Sequence, residues 1–204
     1  MVKMMNKFRR MLMKTVAVVS VMISLVSGPA YAANISEMIA SGADVYQAQP
    51  EEYKTKANDY FQRIPEGVID AFKRRGGTIN FTTNVLVGQK DVNGLYTFDS
   101  KRIDLKTTAK NNSWDEVQKA PVHEVGHFIY HNTLDKFTAR MKSDIQKLFN
   151  TRKSFDPRCY NEDETFAALY SDYLKYNYAN GANAMPSEEY RVFAEAEALC
   201  IGLV

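Results

Sequence analysis

Hydrophobic residues recur at helical spacing through the first of three stretches of the chain. The pattern predicts three short helices, over 34–48 with Asn34 or Ser36 as its N-cap, over 50–61, and over 65–75. A Gly-Gly pair follows the third segment and is typical of a helix end. We therefore expect a layer of helices before the first strand.

In the second stretch the hydrophobic positions change to the alternation that is typical of β-strands. Strands are predicted at 78–82, 85–87, 95–98 and 102–105. The residues Asp-Val-Asn-Gly at 91–94 are a turn signal, because Asn-Gly favours the positive backbone angles of tight hairpins. These segments predict a small, twisted, mixed sheet.

In the third stretch the helical spacing returns, first around a proline. Pro121 is tolerated in the first turn of a helix but not deep inside one, so a helix is predicted to begin near Lys119 or Ala120. A separate capped turn is then expected over 113–116. The buried face of this helix is predicted to contain Val122, Val125, Phe128 and Ile129.

A further helix is predicted after Asn161, which is a good N-cap residue. Its first turn is acidic, as the helix dipole favours, and its apolar face contains Phe166, Leu169, Tyr170, Tyr173 and Leu174. Together the three stretches predict an α+β fold in one domain over 33–204. It consists of a helical layer, a small mixed sheet and a C-terminal helical subdomain.

The first 32 residues have the organisation of a cleavable signal peptide. A basic segment over 1–14 precedes an apolar run over 15–26, and small residues follow at Ala30 and Ala32. The run is shorter than the roughly 20 residues that span a bilayer, although an uncleaved membrane anchor is the alternative. We expect a secreted, extracellular protein that has no membrane contact after cleavage.

The charge of the chain changes when this leader is set aside. The leader holds five of the 26 basic residues and none of the 24 acidic ones, so the remainder has 21 basic residues and a net charge of −3. A mildly acidic domain lacks the basic surface that nucleic acid requires. We therefore expect no nucleic-acid partner.

All three histidines lie between residues 123 and 131, and two of them form the pattern H-E-x-x-H. Side chains four residues apart share one face of a helix, so His123 and His127 can bind a single Zn²⁺. Glu124 points to the adjacent flank, where it can act as the general base without binding the metal. The alternative is a surface helix with chance histidines.

His131 shares the face of the other two histidines but lies two turns from His123. A single ion cannot bind both His123 and His131, because they lie roughly 12 Å apart along the helix axis. We therefore place His131 at the surface or in support of the site, and we do not expect it to be a ligand.

The third ligand is expected on the acidic turn after Asn161. Glu164 stands at the third helical position beside the apolar face, and a glutamate completes the His₂Glu set of catalytic zinc sites. Glu162 is the competing candidate, since it lies about 200° around the axis and both cannot face the metal. Glu162 and Asp163 are interpreted as acids that complement the helix dipole.

Two cysteines, Cys159 and Cys200, lie in the part predicted to be exported. A single pair outside the cell can form a disulfide, and two separate thiols are the alternative. Neither has a second cysteine or a histidine at ligand spacing, so no second metal motif is predicted.

Two of these motifs together resemble those of a known protein family. H-E-V-G-H followed by the acid-capped E-T-F-A of the later helix resembles the catalytic domain of anthrax toxin lethal factor. The small secreted Pro-Pro endopeptidases of clostridia and bacilli are more similar still. The anchors of the resemblance are 76–81, 94–96, 103–105, 123–127 and 164–167.

The resemblance implies a zincin-like fold, zinc as cofactor and Glu164 as the third ligand. It also implies a tyrosine that stabilises the reaction's oxyanion shortly before the last ligand, and Tyr160 is the residue available there. The family's motif E-F-F-A-E has a second acid where this chain has Ala168. The substrate cleft is expected between the metal helix and an edge strand over 102–105.

We therefore expect a monomeric zinc endopeptidase that acts on a protein or peptide substrate. The bonds cleaved belong to extracellular or cell-surface proteins, and the resemblance suggests Pro-Pro bonds. Two alternatives stay open: a non-catalytic secreted binding protein on the same scaffold, and the enzymatic component of a toxin. The intact Glu124 favours catalysis over binding alone.

Overall fold

The computed structural model describes residues 34–88, 90–107, 114–180 and 187–202. The predicted signal peptide lies outside these ranges, so its prediction stays open. The α+β class is confirmed, because the described residues combine many helices with a small mixed sheet. Seven α-helices occur in the described ranges: α1 Ala43–Gln47, α2 Glu51–Phe61, α3 Glu66–Arg74, α4 Trp114–Thr133, α5 Ala139–Arg152, α6 Glu162–Asn180 and α7 Ser187–Ile201.

Six strands form two sheets in the same ranges. They are β1 Ile39–Ser41, β2 Thr78–Thr82, β3 Val85–Val87, β4 Lys90–Val92, β5 Gly94–Thr97 and β6 Arg102–Lys106. The larger sheet has the order β1-β2-β6-β5, in which β5 alone runs antiparallel to its neighbour. Strands β3 and β4 form a separate antiparallel hairpin.

The strand expected at the edge of the sheet is an inner strand. The prediction for 102–105 is wrong in this respect, because β6 pairs with β2 on one side and with β5 on the other. The edge strand on that side is β5, whose Gly94 lies opposite Leu105 and whose Thr97 lies opposite Arg102. Strand order depends on contacts between distant segments, which the alternating pattern does not encode.

The first predicted helix is divided by a strand. Asn34 caps a short 3₁₀ helix, Ile35–Met38, by accepting from the backbone N–H of Ser36 at 3.0 Å, and β1 follows at once. Gly42 then has a φ of 76°, and a side chain there would overlap the carbonyl of Phe81. The prediction of one helix over 34–48 fails because parallel pairing with β2 and this glycine turn override the helical spacing.

The turn expected at 91–94 is also absent from the place predicted. Strand β4 includes Asp91 and Val92, and Asn93 is only a bend between β4 and β5, which belong to different sheets. The hairpin between β3 and β4 reverses instead near Gly88, whose φ is 61°. A glycine at positive φ serves the same purpose as Asn-Gly there.

The helix of the two motif histidines begins earlier than predicted. α4 starts at Trp114 and runs through Pro121, so the separate turn expected over 113–116 and the start near residue 119 are wrong. A proline inside a helix costs about 3 kcal/mol or more. Packing offsets this cost, since Val122, Val125 and Phe128 are all buried immediately after it.

The hydrophobic core lies where α4 meets the sheet and the surrounding helices. Phe128 is fully buried, with its ring edge-on to Phe72 of α3 at 5.0 Å and to Tyr96 of β5 at 6.1 Å. α4 also packs on α2, α6 and α7. None of the helices in the described ranges combines the length and the apolar character needed to cross a membrane. The position of α4, in contact with both the sheet edge and α6, is what brings the candidate site together.

Candidate metal centre

The two motif histidines of α4 point their outer ring nitrogens at one another. Nε2 of His123 and Nε2 of His127 are 3.1 Å apart, and the rings are nearly perpendicular. The spacing of four residues puts both on one face, while Val125 and Ile129 are buried on the other side. The sequence therefore folds locally into the histidine pair that its spacing predicts.

Glu164 of α6 reaches this pair. Its Oε2 lies 3.4 Å from Nε2 of His123 and 3.7 Å from Nε2 of His127. The predicted N-cap explains its placement: Asn161 Oδ1 accepts from the backbone N–H of Glu164 at 2.8 Å, which makes it the third residue of the helix. The structure thus brings together the three residues predicted as metal ligands.

A close helix crossing sets the distance between these ligands. If Gly126 carried a methyl group, that carbon would lie 2.8 Å from the Cα of Ala167. No methyl group fits at that separation, so α4 and α6 can approach this closely only with glycine at position 126. Ala167 and Ala168 are fully buried at the crossing, and their small side chains also permit the approach.

The three ligand atoms fit a tetrahedral ion. Zinc–nitrogen and zinc–oxygen bonds of about 2.1 Å at tetrahedral angles separate neighbouring ligand atoms by about 3.4 Å. The separations here are 3.1, 3.4 and 3.7 Å. His123, His127 and Glu164 could therefore hold a metal ion with little rearrangement.

Asp163 orients one of the two histidines. Its Oδ1 lies 2.7 Å from Nδ1 of His127, so a proton on Nδ1 leaves the lone pair of Nε2 directed at the candidate metal position. The interpretation of Asp163 as a residue that only complements the helix dipole is therefore incomplete. Burial on its own would lower the pKa of His127, but Asp163 and the carboxylates of Glu124 and Glu164 raise it to about 9.

His131 lies on the outer side of the same carboxylate. Its Nε2 is 2.8 Å from Oδ2 of Asp163. His127, His131 and Asp163 also lie close enough together to hold a metal ion by distance alone. Their separations of 2.7 and 2.8 Å are hydrogen-bond lengths, however, and are shorter than the spacing of about 3.4 Å between tetrahedral zinc ligands.

Glu124 lies beside the candidate metal position, against the edge strand. Its side chain is only 4% exposed, and its carboxylate accepts a hydrogen bond from the backbone N–H of Tyr96 in β5. A methyl group at Gly94 would lie 2.5 Å from Oε1 of Glu124 and 2.8 Å from its Cγ. Burial raises the pKa of Glu124, and the neighbouring histidines oppose that rise. Gly94 thus leaves the space that this carboxylate occupies.

Tyr160 lies next to the third ligand. Its hydroxyl donates to Oε1 of Glu164 at 2.6 Å, so one oxygen of Glu164 faces the histidines and the other is held by the phenol. The side chain is 67% exposed. Burial of the hydroxyl and the carboxylate of Glu164 raise the pKa of Tyr160 to about 12, which keeps the phenol protonated as a donor.

The structure also bears on two other predictions about this region. Glu162, the competing candidate, belongs to neither potential metal-binding group among the described residues. Cys159 and Cys200 are both buried free thiols, so of the two alternatives the structure has separate thiols and not a disulfide.

The sequence interpretation missed Asp163 and Gly94 as parts of the site. Asp163 was explained by its place in an acidic first turn, and Gly94 by a turn signal. The only signal that could have marked Asp163 is its position next to Glu164 on a helix that faces the histidine pair. A search of protein-family models, of curated proteins and of solved structures found no match to the chain.

Proposed function

We propose that this chain is a secreted zinc-dependent endopeptidase. The observation that carries the proposal is the convergence of Nε2 of His123, Nε2 of His127 and Oε2 of Glu164 within 3.1–3.7 Å. Two imidazole nitrogens and one carboxylate oxygen at these distances suit a zinc ion, and they leave its fourth position for substrate or water. The motif resemblance to lethal factor and to the Pro-Pro endopeptidases supports the same assignment.

Glu124 is the residue that the proposal makes the general base. Bound to the three ligands, zinc would polarise the scissile carbonyl and lower the pKa of water. In this proposal Glu124 takes a proton from the attacking water and returns it to the leaving amine. Its buried position and its hydrogen bond from Tyr96 hold the carboxylate still, while Gly94 gives it room.

The edge strand β5 is the proposed binding surface for substrate. It pairs with β6 on one side only, and it packs against α4 near Glu124. An extended peptide can add to such an edge through main-chain hydrogen bonds, which would place its carbonyl beside the metal position. The phenol of Tyr160 is the nearby donor that could turn from Glu164 to the oxyanion.

The test combines metal analysis with peptide cleavage. Residues 33–204, purified without chelators, should contain about one zinc per chain and should hydrolyse members of a peptide library that includes Pro-Pro sequences. Glu124→Gln should retain zinc and lose roughly 10²–10⁴-fold in turnover, since a general base contributes that much. Protein without zinc, or a Glu124→Gln variant with near-normal turnover, would contradict the proposal.

A further inference from the structure

One carboxylate is divided between two histidines of the same helix. Asp163 presents Oδ1 to Nδ1 of His127 at 2.7 Å and Oδ2 to Nε2 of His131 at 2.8 Å. The histidines are four residues apart on α4, and the aspartate comes from the first turn of α6. Both oxygens are therefore used, and the carboxylate plane is fixed from two sides.

The ring of His131 is itself held in place. It lies among three aromatic rings, with centroid distances of 6.2 Å to Tyr96, 5.4 Å to Phe98 and 5.7 Å to Tyr130. A terminal carboxylate rotates easily about its last bond, since that torsion is broad. A donor on a packed ring restricts this rotation more than water would. His131 thus gives Asp163 a fixed partner, even though the histidine side chain is 36% exposed.

We propose that His131 is a positioning residue of the metal centre. It holds Asp163, Asp163 holds His127 in the tautomer with a proton on Nδ1, and that tautomer directs the Nε2 lone pair at the metal. The proposal rests on the proposed zinc site but does not depend on peptidase activity. Partners of metal ligands typically affect metal affinity by 10–100-fold when they are removed. His131 is one hydrogen bond further from the metal than Asp163. We therefore expect its removal to lower zinc affinity by about 10-fold, the lower end of that range.

Two variants separate the hydrogen bond of His131 from its ring packing. His131→Phe keeps an aromatic ring among Tyr96, Phe98 and Tyr130 but has no donor. His131→Gln places an amide N–H near the original Nε2 but has no ring. In a zinc titration against a competing chelator, His131→Phe should bind about 10-fold more weakly than wild type, and His131→Gln within about 3-fold of it. Equal affinity of His131→Phe and wild type would overturn the proposal, as would a His131→Gln variant as weak as His131→Phe.

A double-mutant cycle tests whether the effect passes through Asp163. In an Asp163→Ala background, His131→Phe should change zinc affinity by less than about 2-fold, because the link is already broken. A full 10-fold loss in that background would assign His131 another role and overturn the proposal. A wild-type protein that binds no zinc would overturn both proposals. Zinc binding without hydrolysis would overturn the peptidase alone, since the order of affinities would still test His131.

Discussion

Helix α6 contributes to two carboxylate clusters, one at its first turn and one in its middle, and they differ in how the donors and acceptors of their hydrogen bonds are matched. Near its N-terminus, Glu164 faces His123 and His127 of α4. Further along, Tyr170 and Tyr173 face Glu197 of α7, with hydroxyl oxygens 2.9 and 3.3 Å from the two carboxylate oxygens. The pKa is raised for His127 in the first cluster and for Glu197 in the second, but only the first cluster suits an ion.

The difference lies in the balance of donors and acceptors. In the Glu197 cluster each carboxylate oxygen receives a phenol proton, so the group is satisfied within the protein. In the Glu164 cluster a proton on Nδ1 of His127, shared with Asp163, would leave a lone pair on Nε2 once a metal ion displaces any proton there. That lone pair faces a carboxylate oxygen and another ring nitrogen. Convergent lone pairs need a cation, whereas burial and a shifted pKa alone do not indicate one.

The largest effect is expected from removal of the ligand that α6 supplies. Glu164→Gln should lower zinc affinity by more than about 100-fold, because loss of a ligand costs more than the 10–100-fold typical for loss of a residue that only hydrogen-bonds to a ligand. Glu162→Gln is the matched control on the same turn and should change affinity by only a few-fold, since dipole effects are about 0.3–1 kcal/mol. A chelator competition titration of both variants measures this. The reverse order would move the ligand to Glu162.

The second prediction concerns the cluster that should not bind metal. Burial raises the pKa of Glu197 from 4.5 to about 7, and the hydroxyls of Tyr170 and Tyr173 only partly oppose this. Between these pH values the unfolded chain has released the proton that the folded protein keeps. The free energy of unfolding therefore falls as pH rises through this window, by roughly 3 kcal/mol.

Glu197→Gln should remove this part of the pH dependence, because its side chain is neutral in both states. Denaturant unfolding at a series of pH values from 4.5 to 8 would measure the slope. Glu66→Gln, at an exposed position of α3, serves as the control and should retain the wild-type slope. A Glu197→Gln variant with the wild-type slope would show that Glu197 is ionised in the fold.

The third prediction tests the catalytic role of Glu124 independently of metal binding. In Gly94→Ala the added methyl group must displace the Glu124 carboxylate, while the three ligands stay in place. A displacement of about 1 Å in a catalytic group can cost on the order of 100-fold, so turnover should fall by roughly 10–100-fold at unchanged zinc content. Thr97→Ala on the same strand is the control. Zinc loss in Gly94→Ala would mean that β5 supports the ligands as well.

The smallest effect is expected at Tyr160. Its hydroxyl donates to Oε1 of Glu164 in this structure, and one such hydrogen bond contributes about 1 kcal/mol. Tyr160→Phe should therefore weaken zinc binding by about 5-fold. Turnover measured at saturating zinc decides the remaining question. A loss there would assign to Tyr160 the oxyanion role implied by the family resemblance, and an unchanged value would limit it to holding Glu164.

The parts of the site that could be predicted from sequence are those fixed within one helix. The spacing of His123 and His127 determines that they share a face, and the N-cap at Asn161 determines where Glu164 stands on its turn. Asp163 could not be assigned in this way. Its dipole role was a sufficient local explanation, and its contact with His127 depends on how α4 and α6 cross.

The errors in the fold have the same origin. Residues 39–41 have helical spacing, but parallel pairing with β2 makes them a strand. Whether 102–105 lies at the edge of the sheet depends on pairing on both of its sides. β6 pairs with β5, 5 to 11 residues earlier in the chain, and with β2, 24 residues earlier. Pro121 indicated a helix start because its local cost is large, but tertiary packing outweighs local preference there.

The contact between Gly126 and Ala167 has a thermodynamic consequence. It joins two helices whose ligands are far apart in the sequence, so the complete ligand set exists only when α6 is docked on α4. Zinc binding and helix docking are then linked equilibria, and each ten-fold excess of free zinc over its dissociation constant adds about 1.4 kcal/mol to the stability of the docked state. If the site binds zinc as proposed, the concentration of free zinc would thereby set the fraction of chains in which α6 is docked on α4.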